Sequence, residues 1–264
     1  MRFVIALPFA WLAAFFLLPL ALVLGLSFGT NSPDLAPPVE LGVNFASFKL
    51  LFTDDLYLAA WLSSLRIAAL STLGTLLLGY PMAYAIVRAR PQLRPLLLTL
   101  VILPFWTSFL IRVYAWMGLL AENGILNQVL RWSGLVPNPG TILGTEWAIH
   151  LGIIYAYLPF MVLPLYSSLE KLDWGLLEAA SDLGAKPLAA FVTVTLPLSM
   201  PGIVAGCLMV FIPAVGEFVI PDLLGGTRTL MIGKVLWTSF SPIPTGRSPR
   251  RWRSACWSCW SARS

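Results

Sequence analysis

An all-α integral membrane protein with five transmembrane helices is the fold class this sequence predicts, and three observations predict it. Of 264 residues, 58% are hydrophobic and only 11% are charged, whereas a soluble domain needs roughly 25% charged residues to cover its surface. Five uncharged runs, 3–33, 67–87, 95–111, 147–169 and 187–216, divide the chain, each near or above the roughly 20 apolar residues that cross a hydrocarbon core. The segments between them differ sharply in the sign of their charge. Lipid offers no hydrogen-bond partner to a backbone N–H or C=O, so runs of this kind are expected to close their bonds internally, as helices.

The first run, FVIALPFAWLAAFFLLPLALVLGLSF, exceeds the usual apolar stretch of a signal peptide, and no small-residue cleavage site follows it. It reads as the first span, and Pro8 and Pro19 are expected to kink it. The segment 29–60 carries Asp34, Glu40, Asp54 and Asp55 against Lys49 alone, while the turn after the second run carries Arg88, Arg90 and Arg94 and no acid. By the positive-inside rule the arginine turn is cytoplasmic and the acidic loop external. Counting onward places 122–146 and 222–240 outside and 178–202 inside, with a cytoplasmic N-terminus. The net charge of +5 requires no nucleic-acid partner, because Arg247, Arg250, Arg251, Arg253 and Arg263 crowd into the last residues.

The segment from 173 to 202 is the most polar punctuation between two apolar runs. Asp173 suits an N-cap, accepting from orphan backbone N–H groups. Gly184 suits a left-handed C-terminal stop, and Pro187 the first position of a second short helix. Leu196-Pro197 is expected to break the chain ahead of the next span. At about 100° per residue, Ala180 and Gly184 share a face with Leu183 and Ala179 beside them, while Glu178, Ser181 and Asp182 lie opposite. A small-residue face admits close approach by another surface; an ordinary loop helix packed on its own protein accounts for it equally well.

Glu178-Ala179-Ala180, three residues, Gly184, nine residues, Val194, one residue and Leu196-Pro197 resemble the EAA signature of ABC importer permeases, with valine in place of isoleucine. That resemblance implies a coupling helix near 174–184 that docks on a separate cytoplasmic ATPase through Glu178, Ala179, Ala180 and Gly184. The stretches PFAWLAAFFLLPLALVLGLSF, ILPFWTSFLIRVYAW, AENGILNQVL and GEFVIPDLLGG are similar to spermidine/putrescine importer permeases, more to the putrescine type than to the spermidine type. The resemblance runs from about residue 3 to 240. It implies a multi-pass subunit of the bacterial cytoplasmic (inner) membrane with six spans in the intact family. The implied partners are a second permease, two ATPase copies that bind the ATP, an external polyamine-binding protein and the bilayer. The implied organisation is an N-terminal helix with its external loop over 1–58, a permease core over 59–240 and an aberrant basic tail over 241–264. Rival readings are a permease for an anion, iron or thiamine, a secondary transporter or channel, and a non-transporting scaffold; no paired broken helices favour the second.

Charges at membrane depth are costly and mark pathways or partners. A polyamine needs carboxylates and aromatic faces, so Glu217, Asp222, Trp106, Tyr114 and Trp116 are candidates for the substrate path. The same rings would equally form an interfacial belt, and the same acids could be solvated loop residues. Arg112 has two outlets, an acid such as Glu217 or snorkelling. His150 lacks metal-ligand spacing and reads as a satisfied polar residue. GGTRTLMIGKV lacks the glycine spacing and Ser/Thr of a phosphate loop, and no catalytic constellation appears, so an enzyme is not expected and no cofactor is expected in this chain.

The tail, GRSPRRWRSACWSCWSARS, is polar where a sixth span is implied. Cys256 and Cys259 have the spacing of a metal or redox pair. A shift of reading frame is favoured: codons built from the last base of one and the first two of the next turn each Cys-Trp junction into leucine, and the shifted tail can read VAAALAVGLLVLLVG. Restoring that frame near 241–247 should add a span and move the C-terminus from outside to inside. A C-terminal reporter fusion checks it: unchanged sidedness, with the written frame confirmed by resequencing, restores the cysteines as real features.

Overall fold

The computed structural model describes residues 2–28, 30–31, 39–40, 44–45, 49, 53–132, 142–226 and 229–240. The tail from 241 lies outside the described residues, and with it the cysteine pair and the expected frame change. Contacts divide the chain into two units, Met1–Ala59 and Ala60–Ser264.

The first unit holds α1 (Arg2–Ser27) and an antiparallel pair, β1 (Thr30–Asn31) with β2 (Val39–Glu40), in the register Thr30 to Glu40. α1 runs through both of its prolines, and Phe9, Trp11, Phe15 and Phe16 on it are exposed. Such a surface is stable only against lipid or another chain.

The second unit is built on long helices. α2 (Asp55–Arg88) begins at the end of the first unit, and α3 (Arg94–Ile102) follows the arginine turn. A 3₁₀ turn over Leu103–Trp106 leads through extended Thr107 and Ser108 into α4 (Phe109–Leu120). Then come α5 (Ile125–Trp132), α6 (Glu146–Glu170), α7 (Gly175–Asp182) and α8 (Pro187–Ala190). A π-helical turn over Phe191–Thr195 joins α8 to α9 (Leu196–Leu198), and α10 (Met200–Val215), α11 (Val219–Leu223) and α12 (Ile232–Phe240) complete the order. Among the described residues, four helical stretches are long and apolar enough to cross a membrane: 8–27, 55–88, 109–132 and 146–170. A fifth is made by 187–198 with 200–215, bent by 65°.

Two expectations are corrected. The third uncharged run, 95–111, is not one helix: Pro104 removes a backbone donor, and the extended Thr107–Ser108 interrupts the helical hydrogen bonding. The third long apolar stretch therefore starts at Phe109. Leu196-Pro197 does not break the chain either. The π turn carries the helix through Pro197, and the bend comes at Ser199, between Pro197 and Pro201.

α6 is the spine. Ile149 and Ile153, in its first half, enter one core cluster with Ile67, Val113, Leu120, Ala214, Ile220, Leu224 and Met231. Met161, Val162, Leu165 and Leu169, in its second half, enter another with Tyr80, Ala83, Ile86, Val87 and Val210. α10 lies along this spine and buries Gly202, Gly206, Val210 and Ala214, one residue in every four. Small residues at that spacing form a ridge on which two membrane helices approach closely. A Cβ at Gly202 would stand 2.9 Å from the carbonyl oxygen of Pro164, and one at Gly206 2.7 Å from Met161 Sδ. On α2, Ser64, Ser71 and Thr75 are buried and bonded: Ser64 Oγ accepts from the Ile232 N–H at 2.8 Å, and the Thr75 hydroxyl donates to the Ser71 carbonyl at 2.7 Å. Ser71 Oγ lies 2.8 Å from His150 Nδ1, so His150 is a satisfied polar residue, as its sequence suggested.

The two ends of the second unit are distinct. At one, Arg88 sits over the rings of Trp174 and Tyr84, which brings the arginine turn beside α7. At the other, the Leu143 N–H donates to Leu120, the Gly144 N–H donates to Leu224, and Arg66 pairs with Glu146 at 2.6 Å. This is the division of loops that the charge rule gave.

Gly202→Ala is expected to cost about 1–3 kcal/mol, because its methyl group meets backbone rather than a flexible side-chain tip. Gly25→Ala, where nothing lies within 4 Å, should be near neutral. Thermal unfolding in detergent compares the two.

Candidate functional site

Two regions carry the chemistry expected from the sequence. The first is α7 with its flanks. The Asp173 carboxylate accepts from the Gly175 N–H at 3.0 Å, and its carbonyl accepts from the Leu176 N–H at 3.3 Å. It caps the helix as expected, although the dihedral angles place the N-cap one residue on, at Trp174. Gly184 has φ +83°, the conformation that favours glycine. Its N–H donates to Ser181, and the Ala185 N–H donates to Ala180. This pair of bonds satisfies carbonyls that the helix end would otherwise leave open. Pro187 opens α8 at its first position.

Anchoring and presentation are divided between the faces of this segment. Leu172, Trp174, Leu177 and Phe191 join the second core cluster, and Tyr84 packs edge-on against both Trp174 and Phe191. Glu178, Ala179 and Gly184 are exposed and Ala180 is half-buried. Leu183 and Leu188 are 89% and 75% exposed. The two bare leucines stand beside small residues on one short segment.

The second region is the segment from 216 to 237. Glu217 is buried. Its Oε2 accepts from the Tyr157 hydroxyl at 2.6 Å, and its Oε1 accepts from the Val219 N–H at 3.0 Å. The carboxylate therefore stands at the N-terminal end of α11, where backbone donors are otherwise orphaned. Lys234, from α12, donates to the Pro221 carbonyl at 3.3 Å and lies 3.7 Å from Asp222 Oδ1. An acid and a base thus hold the two ends of one short helix. The Asp222 side chain remains 44% exposed. Gly233 passes close to the Gly216 and Glu217 carbonyls, and Phe218 stacks on Trp237 with centroids 4.7 Å apart.

The five candidate path residues differ in their surroundings. Trp106 and Tyr114 are 77% and 56% exposed. Trp116 packs on the first core cluster and meets Tyr155 edge-on. Glu217 is no solvated loop acid, and its oxygens are engaged within the chain. Among the described residues Arg112 makes no ion pair with Glu217. Its guanidinium lies over Phe105 at 4.8 Å and Phe109 at 5.8 Å, and its Nε and Nη1 are buried without a hydrogen-bond partner. Sequence reasoning missed Tyr157 and the pairing of Lys234 with Asp222. A tyrosine within an apolar run was the available signal for the first; the second joins two helices and left none.

A protein family described as "Binding-protein-dependent transport system inner membrane component" matches residues 75–244. The chain is 46% identical over 233 residues to the spermidine/putrescine transport system permease protein PotB of Escherichia coli, covering 88% of this chain and 84% of that one. It is 44% identical over 245 residues to the PotB of Haemophilus influenzae, covering 90% and 82%. Among solved structures it resembles a chain of a bacterial alginate ABC transporter in complex with an alginate pentasaccharide-bound periplasmic protein. That match has a TM-score of 0.64 and 20% identity and covers 89% of this chain and 81% of that one; it bears on the fold.

Glu217→Ala would leave the Tyr157 hydroxyl and the Val219 N–H without their acceptor, at an expected cost of about 1–3 kcal/mol. Glu217→Gln keeps an acceptor oxygen and should cost less. Denaturation midpoints of the two variants give the order, and equal midpoints at the wild-type value would return Glu217 to a solvated role.

Proposed function

The chain belongs to the inner membrane components of binding-protein-dependent transport systems, and we propose on that premise that it is one permease subunit of an ATP-driven polyamine importer. The observation that carries the substrate class is the 46% identity, over 88% of the chain, to a permease named for spermidine and putrescine. That name covers both polyamines, and so does the proposal. The chain supplies one side of a translocation path; a second permease supplies the other, two cytoplasmic ATPases bind and hydrolyse the ATP, and an external binding protein delivers the polyamine.

In this reading α7 is the coupling element. Glu178, Ala179, Ala180 and Gly184 face a cleft on the ATPase, and the bare Leu183 and Leu188 are buried on docking. Hydrophobic contact of this kind is strong enough to hold a partner and small enough to shift with its state. Closure of the ATPases around ATP displaces α7, and the spans respond by opening the path outward to the loaded binding protein. Substrate charge is met by carboxylates and aromatic faces. Asp222 is the more accessible of the two acids, Glu217 holds the segment that carries it, and Trp106, Tyr114 and Trp116 supply rings.

Reconstitution with the partner subunits tests the substrate class: labelled putrescine or spermidine should accumulate in vesicles in an ATP-dependent way, and uptake of an anion in their place would overturn it. Gly184→Val tests the coupling. A β-branched side chain at φ +83° strains the helix stop and blocks close approach, so insertion should persist while ATP hydrolysis stimulated by loaded binding protein falls at least tenfold, one order of magnitude. Normal stimulation in that variant would remove α7 from the coupling role.

A further inference from the structure

The bend at Ser199 divides one apolar stretch into a base and an arm. The base is α10, whose Gly202 and Gly206 lie against Pro164, Ser168 and Met161 of α6, too close to admit a side chain between the two helices. The arm is the helical segment 187–198. It packs against α7 and exposes Leu188, Val192 and Leu198. Between arm and base the helix lacks two donors, because neither Pro197 nor Pro201 has an N–H. The π turn over Phe191–Thr195 adds a second departure from regular α-helical bonding, and such turns concentrate at functional sites.

One buried side-chain chain crosses this weak point. Ser199 Oγ donates to the Leu196 carbonyl at 3.0 Å. Its single proton is thereby used, so the Tyr80 hydroxyl, 3.0 Å away, is the donor to Ser199. Tyr80 belongs to α2, and its ring also meets Phe191 on the arm, edge-on at 5.6 Å. Beside it, the Thr195 hydroxyl is fully buried with no partner, although buried hydroxyls are normally bonded. A polar group left unsatisfied at a bend marks an arrangement that is not the only one the site is built for.

We propose that Ser199 is a hinge between the arm and the α10 base, and that the Tyr80 hydroxyl is the latch holding the bend in the setting described here. Release of the latch lets α7 and the arm pivot together while α10 stays locked on α6, and the Thr195 hydroxyl gains its partner in the second setting. The proposal rests on the coupling role of α7 for what drives the pivot.

The test uses the assembled transporter with a cysteine-free background and spin labels at Val192→Cys on the arm and Met209→Cys on the base, both exposed positions. Wild type should show one label distance without nucleotide and a different one with ATP trapped. Tyr80→Phe keeps the ring and removes the hydroxyl. Without nucleotide it should raise the share of the ATP-state distance roughly fivefold, the worth of one ordinary hydrogen bond. Ser199→Ala, which also removes the bond to the Leu196 carbonyl, should shift the share at least as far, and the double variant little more than Ser199→Ala alone, because the bond to Tyr80 is already gone. Identical distances in wild type with and without ATP, or a Tyr80→Phe distribution equal to wild type, would overturn the proposal. Failure of the coupling reading shows separately, as normal stimulated hydrolysis in Gly184→Val. The nucleotide-free comparison of wild type with Tyr80→Phe judges the latch in either case.

Discussion

The contact between α10 and α6 is the constraint on which the rest of the second unit depends. Lipid tails are as apolar as leucine, so two membrane helices gain little from burying apolar surface against each other and must gain from close packing. Gly202 and Gly206 let the α10 backbone come near Pro164 and Met161, and Val210 and Ala214 continue the ridge toward the other end. α6 is thereby covered on one side along most of its length, with a core cluster at each half. The elements at both ends, α7 with its arm and α11 with its acid and base, are attached to that pair.

The same packing separates rigid from movable parts. Where α10 meets α6 the two helices are in close contact, whereas the arm before Ser199 is held by the packing of Phe191 and Leu196, one hydroxyl and a π turn. In the proposed coupling role of α7, an arm hinged on a closely packed base would turn small displacements into discrete changes of angle rather than diffuse distortion. At the other end, Glu217 and Lys234 bracket α11 with opposite charges. Their position complements the helix dipole, so this charge is committed to holding the segment in shape.

Arg112 fits neither end. A guanidinium at membrane depth costs much unless paired, yet here Phe105 and Phe109 present ring faces to it and two of its nitrogens have no acceptor. The cation–π contacts offset part of that cost. Arg112 also gives the region around the Thr107–Ser108 break a positive charge, opposite in sign to what a polycation would seek.

Much of this was legible in the residues themselves. Too few charges for a water-covered surface, the uncharged runs and the signs of the charges between them determined the class and how the loops divide between two ends, because each depends on local solvation. Asp173, Gly184 and Pro187 determined where α7 starts and ends and where α8 begins, because capping and stop signals act within a turn of the residue that carries them. Position of the bend was not local: a π turn absorbed Pro197 and moved the break to Ser199, an outcome of packing on Tyr80 and α6. Nor was the state of Glu217, whose partner Tyr157 stands 60 residues away. Whether an acid in a membrane protein is free or engaged depends on which helix lies opposite, and tertiary packing alone decides that.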